Sequence, residues 1–236
     1  MRVPLAEHVA RDDQHVVPDR WLLQGGTVGG GGAVNWFTRE FGAQERADRA
    51  VNPLARMDEE AVAISPGSDG LIFLPYLAGE RSPIWDPYAK GVYFGIDYTK
   101  TRAHFIRAML EGVAFALYHN LVTAQEAGAP VTIMNAVGGA ANSRLWTQIK
   151  ADVTGKVIQV PSSDTATTLG AAILAGVGTG VYSDFEDAVK KTVRITRVQE
   201  PDNSRHRLYE HMFTTYHALY ENLKGLMKNR KEGDVS

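Results

Sequence analysis

Two glycine-rich stretches carry the clearest chemistry in the chain. Gln24–Phe37 reads QGGTVGGGGAVNWF, and six of the eight residues from Gly25 to Gly32 are glycine. Glycine loses more conformational freedom on folding than any other residue, so such a run needs something that must approach the backbone closely. A flexible linker is the plain alternative. However, Trp21-Leu22-Leu23 precedes the run and Val34-Trp36-Phe37 follows it, whereas linkers have polar flanks. An ordered tight loop opening a helix is therefore expected. The second stretch, Asn135–Trp146, reads NAVGGAANSRLW and sets Gly138-Gly139 between a strand and a helix start. Glycines at that joint let a flat or anionic ligand lie on the backbone, and the helix N-terminus offers unpaired N–H groups and positive potential. Asn142 and Ser143 can cap the helix and also donate to a ligand. An ordinary capped turn accounts for these residues equally well. Two glycine-rich helix entrances in one domain suggest one ligand held from two sides, long and anionic at one end, as nucleotides are. Asn35, one turn into the first helix, can reach the same space or simply face solvent.

Other chemistries find no support. Gly138-Gly139 is followed by Ala140-Ala141-Asn142-Ser143, so the third glycine of a dinucleotide fingerprint is missing. Gly155-Lys156 is followed by Val157, which is not a Walker A sequence. The histidines at 8, 15, 104, 119, 206, 211 and 217 show no paired ligand spacing, so no metal site is expected on side chains. No Ser-His-Asp arrangement can be argued, and no catalytic residue is assigned. Asp164, ahead of a helix rich in Gly and Ala, is most simply a cap, and Gly170–Ala172 suggest close packing of that helix. The basic stretch Lys224–Lys231 reads as a solvated end rather than an RNA contact.

The elements that must position these residues follow from periodicity. Val16–Gln24 reads as a strand, Ala33–Phe41 as a helix and Pro53–Ile64 as a second helix. Ser65–Gly70 (SPGSDG) is turn chemistry, and Leu71–Leu74 is a short buried strand. Gly79–Gly91 (GERSPIWDPYAKG) is a structured loop. The helix pattern is clearest over Thr101–Gly128, where Ile106, Met109, Leu110, Val113, Leu117, Leu121 and Ala124 recur at threes and fours. Thr101 can cap it, and Gly128 followed by Pro130 ends it. Val131–Val137 reads as a buried strand, Asn142–Val153 as a helix and Val157–Val160 as a strand. Three helices follow, over Thr165–Gly180, Asp184–Lys191 and Asn203–Met227. Helices alternating with strands in the second half, and strands without long helices between them in the first, predict an α/β fold with a mixed sheet.

Bulk properties bound the rest. With 236 residues, 44% of them hydrophobic, the chain can bury a real core, about 70–75% of its unfolded surface. A formal net charge of −2 gives no global field for nucleic acid or an anionic membrane. Cysteine is absent, which excludes disulfides and thiolate metal sites. No signal-like start and no uncharged run of spanning length is present, so a cytoplasmic protein without membrane partners is the expectation.

Several spaced motifs together carry a family likeness. Gly91–Phe115 (GVYFGIDYTKTRAHFIRAMLEGVAF) resembles a signature of the FGGY carbohydrate kinases, through Gly91, Tyr93, Gly95-Ile96, His104-Phe105 and Ala108-Met109-Leu110-Glu111. Phe73–Gly91, Val137–Gly155 and Thr167–Gly176 are similar to further family segments in the same order, so the likeness runs over about Val16–Leu226. The GERSPIWDP form looks most like the xylulose-kinase branch, with gluconate and other sugar kinases near it.

The resemblance implies an actin-like, ribonuclease-H-like domain with a mixed sheet flanked by helices, and ATP-dependent phosphorylation of a sugar hydroxyl with Mg2+. Carried over by residue, Gly31 and Asn35 match glycine-loop positions that approach the nucleotide. Gly139, beside Gly138, and Ser143 match adenine-side positions, although glycerol kinases have Asn where Ser143 stands. Family members are about twice this length. The chain is therefore expected to be a single C-terminal domain: an irregular start over 1–15, the domain proper over 16–226 and a flexible tail over 227–236. The N-terminal sugar-binding domain, the general-base aspartate and the glycine-threonine phosphate hairpin are expected to be absent. Expected partners are ATP/ADP and a sugar held through the missing domain, with a homodimer left open. A non-catalytic binding or assembly module of the same fold is the alternative reading, beside a kinase for gluconate, glycerol or another sugar.

Overall fold

The long helix predicted over Thr101–Gly128 is the axis of the molecule. In the computed structural model, which describes residues 11–43, 52–162 and 165–232, six further helices and seven strands accompany it. We label the helices α1 (Gly30–Phe41), α2 (Pro53–Ala61), α3 (Arg102–Glu126), α4 (Arg144–Thr154), α5 (Ala166–Gly178), α6 (Phe185–Thr192) and α7 (Asn203–Glu232). The strands are β1 (Arg11–Gln14), β2 (Trp21–Gln24), β3 (Ile72–Leu74), β4 (Val92–Phe94), β5 (Ile133–Asn135), β6 (Val157–Pro161) and β7 (Ile195–Gln199).

Helix α3 is buried on every side through its first half, from Ile106 to Ala116, because α1, α2, α4 and β3 all pack on it. Thr101 and His104 form a reciprocal capping box at its start, and His104 Nε2 lies 3.1 Å from Asp69 Oδ2. Gly128, at φ +81°, closes its far end. Arg107 and Glu111 form a buried ion pair at 2.7 Å one turn apart. Glu111 also accepts from the Gly67 N–H, the Ser68 hydroxyl and the Tyr209 hydroxyl. This signature glutamate thus ties α3 to the Ser65–Gly70 turn and to α7, satisfying a charge that burial would otherwise penalise.

The strands form three small sheets. β1 and β2 pair antiparallel, with Arg11 opposite Gln24 and Gln14 opposite Trp21. Residues 11–14 are therefore a strand rather than irregular, and β2 starts later than expected because a turn with Asp19 at φ 59° intervenes. β3 pairs antiparallel with β4, stacking Phe73 on Tyr93 at 4.3 Å between centroids. The third sheet is mixed, with β5 parallel and β7 antiparallel to the central β6. β5 is shorter than predicted and lies at the edge, with Ile133 exposed, so it is not the buried strand expected there.

Three further expectations are corrected. Helix α1 begins at Gly30, so Gly30, Gly31 and Gly32 form its first turn rather than a loop before it. Gly170–Ala172 do not pack closely: among the residues of α5 only Gly176 is buried, against the ring of Tyr182, because α5 lies at the periphery beside α6. Helix α7 runs to Glu232 and Met227 packs on the core, so the expected tail begins as helix. Asp164 lies outside the described residues. Among the described residues no helix is long and apolar enough to cross a membrane.

Candidate functional site

The two glycine stretches meet. Gly31, Val34, Asn35 and Thr38 from α1 face Gly139, Ala140 and Trp146 across a cleft of about 490 Å³, floored by Asn52–Leu54 at the start of α2. More than a hundred residues separate the two walls in sequence, and no carboxylate stands among the described residues that line the cleft.

The α1 wall is built to expose backbone. Gly29 precedes the helix without a side-chain cap, and the first intrahelical bond runs from the Ala33 N–H to the Gly29 carbonyl at 3.0 Å. The N–H groups of Gly30, Gly31 and Gly32 consequently have no intrahelical acceptor, and no described group accepts from them. Added side chains at these three glycines would meet nothing within 4 Å, so internal packing does not require glycine there. Gly29 differs: a Cβ would fall 2.5 Å from the Pro75 carbonyl oxygen. The approach to the helix is held by Glu80, whose Oε1 accepts the Val28 N–H at 2.7 Å, and by the Ser82 N–H donating to the Gly26 carbonyl at 3.2 Å. No acidic residue occupies the first turn of α1, so the positive end of its dipole is uncompensated.

The opposite wall turns on Gly138. Its φ of +82° lies where side chains are strained, and it lets the chain leave β5 into a 3₁₀ turn over Gly139–Asn142. Gly139 has open space where a side chain would stand. Ser143 is placed differently from Gly31, Asn35 and Gly139. It is 5% exposed and does not line the cleft. Its Oγ accepts the Trp146 N–H at 2.8 Å and caps α4. Burial raises the pKa of Asp58, whose Oδ1 is buried without a hydrogen-bond partner among the described residues, and the nearby Ser143 hydroxyl opposes that rise.

With Thr38, Arg39 and Asn52, Trp146 is among the cleft residues that sequence reasoning missed. Only 1% exposed, it donates Nε1–H to the Leu110 carbonyl at 3.0 Å, and Lys150 Nζ sits 4.2 Å from its ring centroid. Burial lowers the Lys150 pKa to about 8. The signal was the i, i+4 spacing of Trp146 and Lys150, which places them on one helix face.

Such a cleft can bind an anion on unpaired N–H groups and a flat group over a glycine turn. It presents no paired acid and base. Among the described residues no group of three or more His, Asp or Glu side chains could hold a metal ion.

Comparison with known proteins adds the family. The profile of the FGGY family of carbohydrate kinases, C-terminal domain, matches residues 2–179. Xylulose kinase of Staphylococcus epidermidis is 34% identical over 212 residues, covering 90% of this chain and 41% of that protein. Gluconokinase of Bacillus subtilis is 35% identical over 235 residues, covering 96% of this chain and 44% of its own length. The crystal structure of xylulose kinase from Rhodospirillum rubrum superposes with a TM-score of 0.80 at 29% identity, covering 93% of this chain and 43% of that one. The chain thus spans about two fifths of the length of these relatives.

Proposed function

The chain belongs to the FGGY family of carbohydrate kinases, as its C-terminal domain, and from that premise we propose that it is the ATP-binding half of a sugar kinase. The acceptor in this reading is xylulose or a related pentulose. The GERSPIWDP form of the Gly79–Gly91 loop and the xylulose kinases among the relatives support it. The observation that carries the proposal is the convergence of Gly31 and Asn35 with Gly139 on one cleft, beside the first turn of α1 whose N–H groups have no acceptor among the described residues.

Each residue has a role in this reading. The N–H groups of Gly30, Gly31 and Gly32 hold phosphate oxygens at the positive end of α1. Asn35 offers its amide one turn further in. The Gly138-Gly139 turn receives the adenine face, Trp146 backs it, and Ser143 positions the turn by capping α4 rather than by touching the ligand. Bound ATP supplies the transferable phosphoryl group. Mg2+ is assigned to the phosphates, since the described residues offer it no cluster of their own. The general base and the sugar-reading wall are assigned to parts of the kinase that this chain does not span.

Binding of a fluorescent ADP analogue to the purified chain tests the proposal, with ATP as competitor. Saturable, ATP-competed binding is expected. A coupled ADP-release assay with pentuloses, hexuloses, gluconate and glycerol should show no sugar-dependent turnover. Positioned proton transfer is worth about 10²–10⁴-fold, and orientation by an opposite wall up to roughly 7–11 kcal/mol. Absence of nucleotide binding by a folded chain would sink the proposal.

A further inference from the structure

Arg197 stands on the edge strand β7, opposite Val160 of β6, and reaches the back of the Gly138 turn. Its Nη2 donates to the Ala141 carbonyl, 56 residues away in sequence, and lies 3.4 Å from the Thr147 hydroxyl on α4. The end of β7 is tied to the same helix twice more. The Gln199 amide donates to the Arg144 carbonyl at 3.2 Å, and the Gln148 amide to the Glu200 carbonyl at 2.8 Å. Arg197 lies beyond residues 2–179, the part of the chain that carries the family likeness.

The turn has few other anchors. Sheet pairing ends where the Ala136 N–H meets the Gln159 carbonyl, and α4 begins at Arg144. Between them Gly138 and Gly139 bring no side chain, and the Ala141 N–H bonds back to the Gly138 carbonyl at 2.9 Å, inside the turn. Only the buried methyl of Ala141 packs inward. Among the described residues, Arg197 makes the one side-chain hydrogen bond to residues 137–142. It does so against the interest of the fold. Its Nε is buried without an acceptor among the described residues, and burial first, then the charge of Arg144, lowers its pKa. A buried donor without a partner and a like charge nearby both oppose folding. Packing β7 on α4 would be served as well by an apolar side chain of similar length. What arginine adds is a donor aimed at the turn.

We infer that Arg197 is a positioning residue for nucleotide binding, which fixes the Gly139–Asn142 turn and through it the surface that Gly139 and Ala140 present to the cleft. The inference rests on the kinase reading above. A guanidinium donating to a carbonyl makes a charge-assisted hydrogen bond, stronger than one between neutral groups. A turn held in place before the ligand arrives leaves less ordering to be done on binding. The effect falls on the base and not on the phosphates, because Gly30–Gly32 belong to α1 and the bonds of Arg197 go to the turn and α4.

Arg197→Met and Arg197→Lys in the full chain test it, by calorimetry with ADP and with tripolyphosphate, which has no base to place. Methionine keeps the reach and removes the donor, whereas lysine keeps a donor and the charge. In the methionine variant ADP should bind at least about tenfold more weakly and tripolyphosphate within about twofold of the unsubstituted chain. Without ligand, residues 137–143 should exchange their amide hydrogens at least about threefold faster. Lysine should hold ADP affinity within about threefold of the unsubstituted chain. A role confined to stability would instead lower the urea midpoint and leave the folded chain's ADP affinity unchanged. That outcome would overturn the inference, as would equal weakening of both ligands, unchanged exchange in the turn, or a methionine variant that does not fold. A lysine variant as weak as methionine would overturn it too. If the unsubstituted chain binds neither ligand, the kinase reading fails and this role with it, while faster exchange in the methionine variant would still mark Arg197 as the brace of the turn.

Discussion

Glu80 Oε1 accepts the backbone N–H of Val28 at 2.7 Å, fifty-two residues away, and the N–H of Arg81 at the same distance. The other carboxylate oxygen is buried without a hydrogen-bond partner among the described residues, and the residue is 5% exposed. One carboxyl group therefore fastens the Gly79–Gly91 loop to the strand of chain that enters α1, and so sets where Gly30–Gly32 point. Glu80→Ala leaves two N–H groups without their acceptor, at about 1–3 kcal/mol for each one buried. It should lower both the urea midpoint and nucleotide affinity. Glu80→Gln keeps an acceptor oxygen. Burial raises the Glu80 pKa, so the folded state loses stability as pH rises from 4.5 through the raised value, and glutamine removes that penalty. At pH 7 glutamine should keep the wild-type nucleotide affinity and give a urea midpoint equal to or above that of wild type. A glutamine variant as impaired as alanine would mean that the charge, not the acceptor, matters.

Gly31→Ala separates stability from binding. The added methyl meets nothing, and alanine exceeds glycine in helix propensity by up to about 1 kcal/mol, so thermal unfolding should shift upward by roughly 2–4 °C. Affinity for the ADP analogue should fall at least about tenfold because the methyl stands where phosphate approaches. Gly29→Ala is the control, expected to destabilise through its clash with Pro75. A more stable Gly31→Ala chain with undiminished affinity would remove phosphate from this helix end.

The two glycines of the opposite wall should respond differently. Gly139→Val enters open space at an ordinary φ, so circular dichroism should be unchanged while nucleotide affinity drops at least about tenfold. Gly138→Val must adopt φ +82° with ψ 178°, a region essentially reserved for glycine, at about 1–3 kcal/mol before any ligand is considered. Equal stability of the two variants in urea would contradict this assignment of roles.

Acid sensitivity should trace in part to His119. Its ring lies 5.2 Å from that of His217 and 5.8 Å from that of Phe213, where α3 meets α7. Burial first, then His217, lowers its pKa from 6.5 to about 4, with Glu221 opposing. The unfolded chain then binds this proton more readily, so the contribution is complete above about pH 6.5 and is lost as pH falls toward about 4. Urea midpoints should drop between pH 7 and pH 5, and His119→Phe should shrink the drop. The same drop in both proteins would assign it to other groups.

What the sequence disclosed depended on how local each cause was. Helix α3 was legible because its apolar spacing is a property of one segment. The Gly138 turn was legible because a positive φ asks for glycine. The extension of α1 through Gly30–Gly32 was not, since glycine is a poor helix former, and the clamps that fix the entry, Pro75 and Glu80, lie elsewhere in the chain. β4 and β7 escaped notice for related reasons. Val92–Phe94 is only three residues long between loops, and Ile195–Gln199 mixes polar residues on a largely exposed edge. Ser143 was recognised as a cap, but its burial against Asp58 depends on α2.

Helix α7 has a consequence for how the chain reaches this fold. Tyr209, Tyr216 and Tyr220 bond to Glu111, Tyr76 and Asp86, at sequence separations of 98, 140 and 134 residues. Their rings pack around Phe115 and Tyr76 in the centre of the molecule. On a ribosome, α3 and β3 emerge long before the helix that covers them, and their apolar faces wait uncovered until α7 arrives. Closure of such distant contacts is slow relative to local helix formation. The nascent chain therefore passes through a stage in which aggregation competes with folding, and that stage closes only when α7 has been made and docked.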